Sequence, residues 1–145
     1  MSVDNAELAA ELRPVLTRLY LSLRRHTPIT EYTAAQASAL ATLVDHGAMR
    51  MGELAERESI RMPTATSLVD GLIRSELVTR RADPTDRRAV VIELTARGHQ
   101  VLERVRAERD DAVTAALSGL SDDHRAALAN ATGALKELHK KVEEL

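Results

Sequence analysis

A mainly α-helical fold carrying one small β-hairpin is the architecture that the sequence predicts. Three observations lead there. Apolar residues recur at the three-to-four spacing of a helical face over most of the 145 residues. Helix-capping residues stand at the starts of several of these segments. A single pair of β-branched runs, at 77–82 and 89–94, flanks the turn sequence Asp83-Pro84-Thr85-Asp86. A chain of this length buries enough surface to fold as one unit without a disulfide or a metal.

The first helix follows from Leu8, Leu12, Val15, Leu16, Leu19 and Leu23. Pro14 lies within that pattern, so the helix either begins near it or kinks there. Thr33 and Gln36 form a capping box ahead of a second helix through Leu40, Leu43 and Val44, which Gly47 ends. A short third helix is expected over about 52–59, with Leu54 and Ala55 inward. Pro63 then sits in the first turn of a fourth helix, where a missing amide hydrogen costs nothing. That helix turns Ala65, Leu68, Val69, Leu72 and Ile73 inward and Thr64, Thr66, Ser67, Asp70 and Arg74 outward. After the hairpin, Thr95 caps a long fifth helix over about 96–117. Ser121 caps a sixth, whose Leu128, Ala131, Leu135, Leu138, Val142 and Leu145 form a narrow seam typical of helices that pair with another helix. That seam predicts a two-fold symmetric homodimer.

Composition narrows the function. The chain contains no cysteine, which excludes a disulfide framework, a thiolate zinc site and a cysteine redox sensor. Tyr20 and Tyr32 are its only aromatic residues, so base stacking on aromatic platforms has almost nothing to work with. No apolar run is long enough for a membrane span, and the acidic start lacks the order of a signal peptide, so a cytoplasmic protein without membrane contact is expected. The net charge of −2 hides an asymmetry: residues 47–98 carry nine arginines against eight acids, while all three lysines lie near the end. Arginine suits bidentate phosphate and base contacts better than lysine does. Asp110-Asp111 and Asp122-Asp123 diverge on their helices, and the five histidines lack a metal-binding spacing, so neither an enzyme nor a cofactor or metal is expected. A zinc site assembled across elements stays open.

Two short helices followed at once by a hairpin make a winged helix-turn-helix, whose second helix enters the DNA major groove. Pro63, Thr64, Thr66, Ser67 and Arg74 are the candidate recognition-helix contacts, their hydroxyls and guanidinium suited to phosphates and base edges. In the wing, Arg87 and Arg88 would approach the adjacent minor groove. A two-fold dimer would demand double-stranded DNA with a near-palindromic operator, its half-site centres about 10 base pairs, or a multiple, apart.

Asp83-Pro84-Thr85-Asp86-Arg87-Arg88, followed by Val91-Ile92-Glu93-Leu94-Thr95, resembles the wing signature of the MarR family of bacterial regulators. Glu53-Leu54-Ala55, the Leu72 to Val78 stretch and the order of elements resemble it too. The resemblance implies a helical dimerisation lobe over 1–32 and 96–145 and a DNA-binding lobe over 33–95. It implies that Asp86 holds Arg88 for the minor groove. It also implies repression relieved by a small molecule, often an anionic aromatic, bound between the lobes; Tyr20, Arg24, His26 and Tyr32 are candidates to line such a site, although the residues themselves single out no effector site. The chain departs from the family pattern at Glu76, where glycine is common, and at Arg50 and Arg61, where Ser or Thr caps are usual. Ser67 and Gly71 stand where the recognition helix is often basic, which shifts weight onto the wing. Two rival readings remain: a winged helix that binds protein rather than DNA, and a repressor with no effector, governed by its own concentration. The sign of regulation is not written in the sequence.

Overall fold

The computed structural model describes residues 2–145. Six helices and a three-stranded antiparallel sheet follow in the order α1 (Asn5–His26), α2 (Ala34–His46), β1 (Met49–Arg50), α3 (Met51–Arg57), α4 (Met62–Arg74), β2 (Val78–Ala82), β3 (Val90–Leu94), α5 (Ala96–Ser118) and α6 (Asp122–Glu143). The expected mainly helical fold with its hairpin is what forms.

Helix α1 neither starts nor stops at Pro14. Asp4 caps it, its carboxylate accepting the amides of Ala6 and Glu7 at 2.8 and 2.9 Å, and the helix runs through the proline. Pro14 brings no amide hydrogen, so the Ala10 carbonyl one turn earlier loses its helical donor. The Thr33–Gln36 capping box forms in both directions, and Gly47 ends α2 with a positive φ of 78°. Helix α3 is displaced from the expected span. It begins at Met51 and ends at Arg57, because Ser59 takes a left-handed φ of 53° and turns the chain toward α4.

The sheet has one strand more than the sequence suggested. Its order is β1-β3-β2, with Met49 opposite Ile92 and Arg50 opposite Val91. The hairpin itself pairs Val78 with Leu94 and Ala82 with Val90. Met49 is buried and Arg50 exposed, as the two-residue period of a strand requires.

One core joins these pieces. Leu40, Leu54, Val69, Leu72, Leu77 and Ile92 are its largest fully buried side chains, and Val101 and Val105 close it from the first half of α5. At the corner between β3 and α5, Thr95 caps the helix by accepting the Gly98 amide, and its own hydroxyl donates to the Glu76 carbonyl at 2.6 Å. The Thr95 amide donates to the Leu77 carbonyl at 3.0 Å. By contrast, α1 and α6 contribute no buried residue at all. The seam on α6 lies bare, with Leu128, Leu138 and Val142 exposed and Ala131 and Leu135 half-buried. Leu8, Val15, Leu16 and Leu19 are likewise exposed on α1.

Candidate nucleic-acid interface

Helix α4 owes its orientation to its inner face. Ala65, Val69 and Leu72 are fully buried, with Leu68 and Ile73 packed half-buried beside them. The opposite face must then point outward, and Pro63, Thr64, Thr66, Ser67 and Arg74 are all exposed. Asp70 is the exception: it is half-buried and accepts a hydrogen bond from Arg80 of β2 at 2.7 Å. Neither Arg50 nor Arg61 caps its helix with a side-chain bond, which leaves first-turn amides of α3 and α4 free of side-chain acceptors. A Cβ at Gly71 would meet the far end of the flexible Gln36 side chain, at 2.5 Å from its amide nitrogen, a contact that side chain can relieve by moving.

The wing loop is organised by Asp83 rather than by Asp86 alone. One Asp83 oxygen accepts the Thr85 amide at 2.8 Å and the Thr85 hydroxyl at 2.7 Å, with the Asp86 amide at 3.4 Å. The other accepts Arg50 Nε at 2.8 Å. Hydrogen bonds from Thr85, followed by that from Arg50, hold the Asp83 carboxyl far below the usual carboxylate range. Asp86 accepts the Arg88 amide at 3.0 Å, while the Arg88 guanidinium comes only to 3.5 Å of the same oxygen. Arg88 is 93 % exposed at its side chain, and Arg87 is exposed beside it. Sequence reasoning missed Asp83 and its partner Arg50. An Asx turn at Asp83-Pro84-Thr85 was the available signal for the first, whereas nothing local marks the second.

Between α3, α4 and the wing runs a cleft of about 510 Å³, lined by Arg50, Met62, Thr66, Arg80 and Arg88 and also by the acidic residues Glu53 and Glu56 of α3. Of the predicted helix and wing contacts, Thr66 and Arg88 line this cleft, while Pro63, Thr64, Ser67, Arg74, Asp86 and Arg87 lie outside its lining. Arg61, Arg74 and Arg87 have no carboxylate partner among the described residues, while Arg50, Arg80 and Arg81 are each paired. A polar helix face, an open cleft and free guanidinium groups together suit a polyanion.

A second cavity, of about 420 Å³, lies where the end of α1, the 27–33 loop and α5 meet. Tyr20, Arg24 and Tyr32 line it, and Arg109 reaches it from α5. His26 is not part of the lining; its Nδ1 lies 2.9 Å from the Ser22 carbonyl oxygen. Arg24 sits over the Tyr20 ring, 5.7 Å from its centre. Burial pushes the Tyr32 phenol above its ordinary value, against the pull of Arg109. Next to the cavity, Arg104 pairs with Glu31 and with Glu108. The Glu31 carboxyl is held below its usual range by its own backbone amide first, with Arg104 assisting against the effect of burial. Arg109 Nε and the second Glu31 oxygen are buried without a partner. Arg109 could not be foreseen, because an arginine on a charged stretch of α5 looks like solvated surface.

The MarR family model matches residues 32–90, from Tyr32 to the first residue of β3. An uncharacterized HTH-type transcriptional regulator of Mycobacterium leprae is 34% identical over 135 residues, covering 93% of this chain and 94% of the relative. The chain belongs to the MarR family. It is accordingly a DNA-binding transcription regulator, as its MarR relatives are named. Among them, the HTH-type transcriptional repressor MdtR of Bacillus subtilis is 31% identical over 105 residues, covering 72% of this chain and 68% of MdtR. In three dimensions, a transcriptional regulator from Pseudomonas aeruginosa superposes with a TM-score of 0.83 at 29% identity, covering 96% of this chain and 98% of that one. A MarR family protein from Bacillus stearothermophilus, 27% identical with a TM-score of 0.72, covers 97% of this chain and 99% of its own, so the fold is shared over nearly all of the sequence. Among the described residues, no helix is long and apolar enough to cross a membrane, and no three His, Asp or Glu side chains converge as metal ligands.

Proposed function

We propose that this MarR protein is a homodimeric repressor of a near-palindromic operator, released when a small anionic aromatic molecule binds the cavity between α1 and α5. The DNA-binding lobe is residues 33–95, and the dimerisation lobe is residues 1–32 and 96–145. Thr64, Thr66, Ser67 and Arg74, set by Pro63 at the head of α4, meet the major groove. Arg87 and Arg88 meet the minor groove, with Asp86 fixing the Arg88 backbone. The observation that carries this reading is the shared cleft: Thr66 of α4 and Arg88 of the wing face the same open space. Dimerisation is supported by the apolar faces of α1 and α6, which find no cover within one protomer. A closed homodimer is the commonest way to bury such a face.

The effector reading rests on chemistry at the second cavity. Arg24 and Arg109 offer cationic partners, one of them with a buried, unpartnered N–H, and two tyrosines offer flat apolar walls. A carboxylate on an aromatic ring satisfies both. The cavity also touches the loop that joins the two lobes, so occupancy is positioned to alter their relation.

The test compares wild type with Asp86→Ala, Arg88→Ala, Thr64→Ala and Ser67→Ala on operator and scrambled DNA at two salt concentrations. Arg88→Ala should weaken all sites alike and lower the salt dependence. Asp86→Ala should also weaken binding, although it removes a negative charge. The helix variants should change preference among operator variants. Equal or tighter binding by Asp86→Ala would refute the wing orientation. Adding a benzoate-type anion should release wild type from operator; release that persists unchanged in an Arg109→Gln variant would sink the effector site.

A further inference from the structure

Arg50 stands at the N-cap of α3, with extended backbone and no capping bond. Its guanidinium leaves the helix and crosses to the wing, 33 residues away, to reach Asp83 at 2.8 Å. Asp83 is mostly buried, with 11% of its side chain exposed. Its other oxygen folds the loop through Thr85 and Asp86. Asp86 in turn fixes the Arg88 amide. A continuous set of bonds therefore runs from the start of α3 to the wing cation at the cleft.

We infer that Arg50 is a positioning residue for DNA binding: it holds the wing loop at a fixed place relative to the start of α3 through Asp83. Its own charge is taken up by that carboxylate, so it is not one of the phosphate contacts. The inference rests on the wing being a DNA contact. A flexible wing would have to be ordered at the moment of binding, and ordering one rotamer-rich side chain or its support reduces affinity by about tenfold.

Fluorescence-anisotropy titration of the intact dimer with an operator fragment, at several salt concentrations, tests this. Wild-type binding is the control; its failure would overturn the DNA reading itself, not the role of the Arg50–Asp83 connection. Arg50→Ser offers α3 a capping hydroxyl, so the variant keeps its fold. It should bind about tenfold more weakly, with the slope of affinity against salt unchanged. Combining it with Asp83→Asn should add little to the larger single loss, because both changes cut one connection. Wild-type affinity in Arg50→Ser overturns the inference. So does a slope reduced by about 0.9 per protomer, the mark of a direct phosphate contact. Fully additive losses in the double variant overturn it as well.

Discussion

Substituting Gly98 by alanine should unfold the joint between the wing and α5. A Cβ at this position would stand 3.1 Å from the Leu77 carbonyl carbon and 3.4 Å from its Cα, with the carbonyl oxygen closer still. All three are backbone atoms of a fully buried residue, so no side-chain rotation relieves the clash. Ordinary van der Waals separation requires the two segments to part by roughly 1 Å. That movement strains the Thr95 amide bond to Leu77 and the Thr95 hydroxyl bond to Glu76, each worth about 1 kcal/mol. Overpacking against rigid backbone adds roughly 1–3 kcal/mol. Alanine's better helix propensity returns about 1 kcal/mol. The net loss is about 2–4 kcal/mol, which lowers Tm by roughly 5–15 °C for a chain of this size. Thermal unfolding followed by far-UV circular dichroism measures it directly. A Gly98→Ala protein that melts at or above the wild-type temperature would show that the two segments do not meet as closely as described.

Three further outcomes are expected. Glu76 is held at φ 59°, a region costly for any residue with a Cβ, so Glu76→Gly should raise stability by about 0.5–1 kcal/mol in denaturant titration; a destabilised variant would refute the strain. The folded Asp83 carboxyl is depressed by Thr85 and then Arg50, so its contribution to stability is complete above the unfolded value near pH 3.9 and fades as pH falls below it. The Tm gap between wild type and Asp83→Asn should therefore be widest near neutrality and close toward low pH; a gap independent of pH would refute it. If Arg61, Arg74, Arg87 and Arg88 of both protomers neutralise phosphates, log affinity should fall against log salt with a slope of roughly −7, and a slope near −2 would reject that set.

What could be read from the sequence was whatever local chemistry writes. The Thr33–Gln36 box, the Gly47 stop, the Thr95 and Ser121 caps and the inner face of α4 are each set by residues within a turn of one another. The elements that escaped notice depend on distant partners. Strand β1 is two residues long and has no periodicity to detect; only its pairing with β3 makes it a strand. Pro14 reads as a helix boundary because its cost is local, while the Asp4 cap that starts α1 earlier lies ahead of the apolar pattern. The wing was recognisable as a whole, but the division of labour within it was not. Asp86 was expected to hold the Arg88 side chain, yet its firmest bond is to the Arg88 backbone, and Asp83 does the folding of the loop. Arg50 looked like a poor cap; its partner lies across the sheet.

The scarcity of aromatic residues has an experimental use. The sequence contains no tryptophan or phenylalanine, and both of its tyrosines line the cavity between α1, the 27–33 loop and α5. Tyr20 is half exposed under Arg24, while Tyr32 is buried in the core edge. Every near-ultraviolet signal from the unlabelled protein, whether absorbance, emission or dichroism, therefore originates at this one place. Operator DNA absorbs strongly in the same range, but tyrosine emission does not share that background. The molecule thus carries a built-in optical probe of the place where α1, the 27–33 loop and α5 meet, and single Tyr→Phe replacements would divide the signal between an outer and an inner reporter.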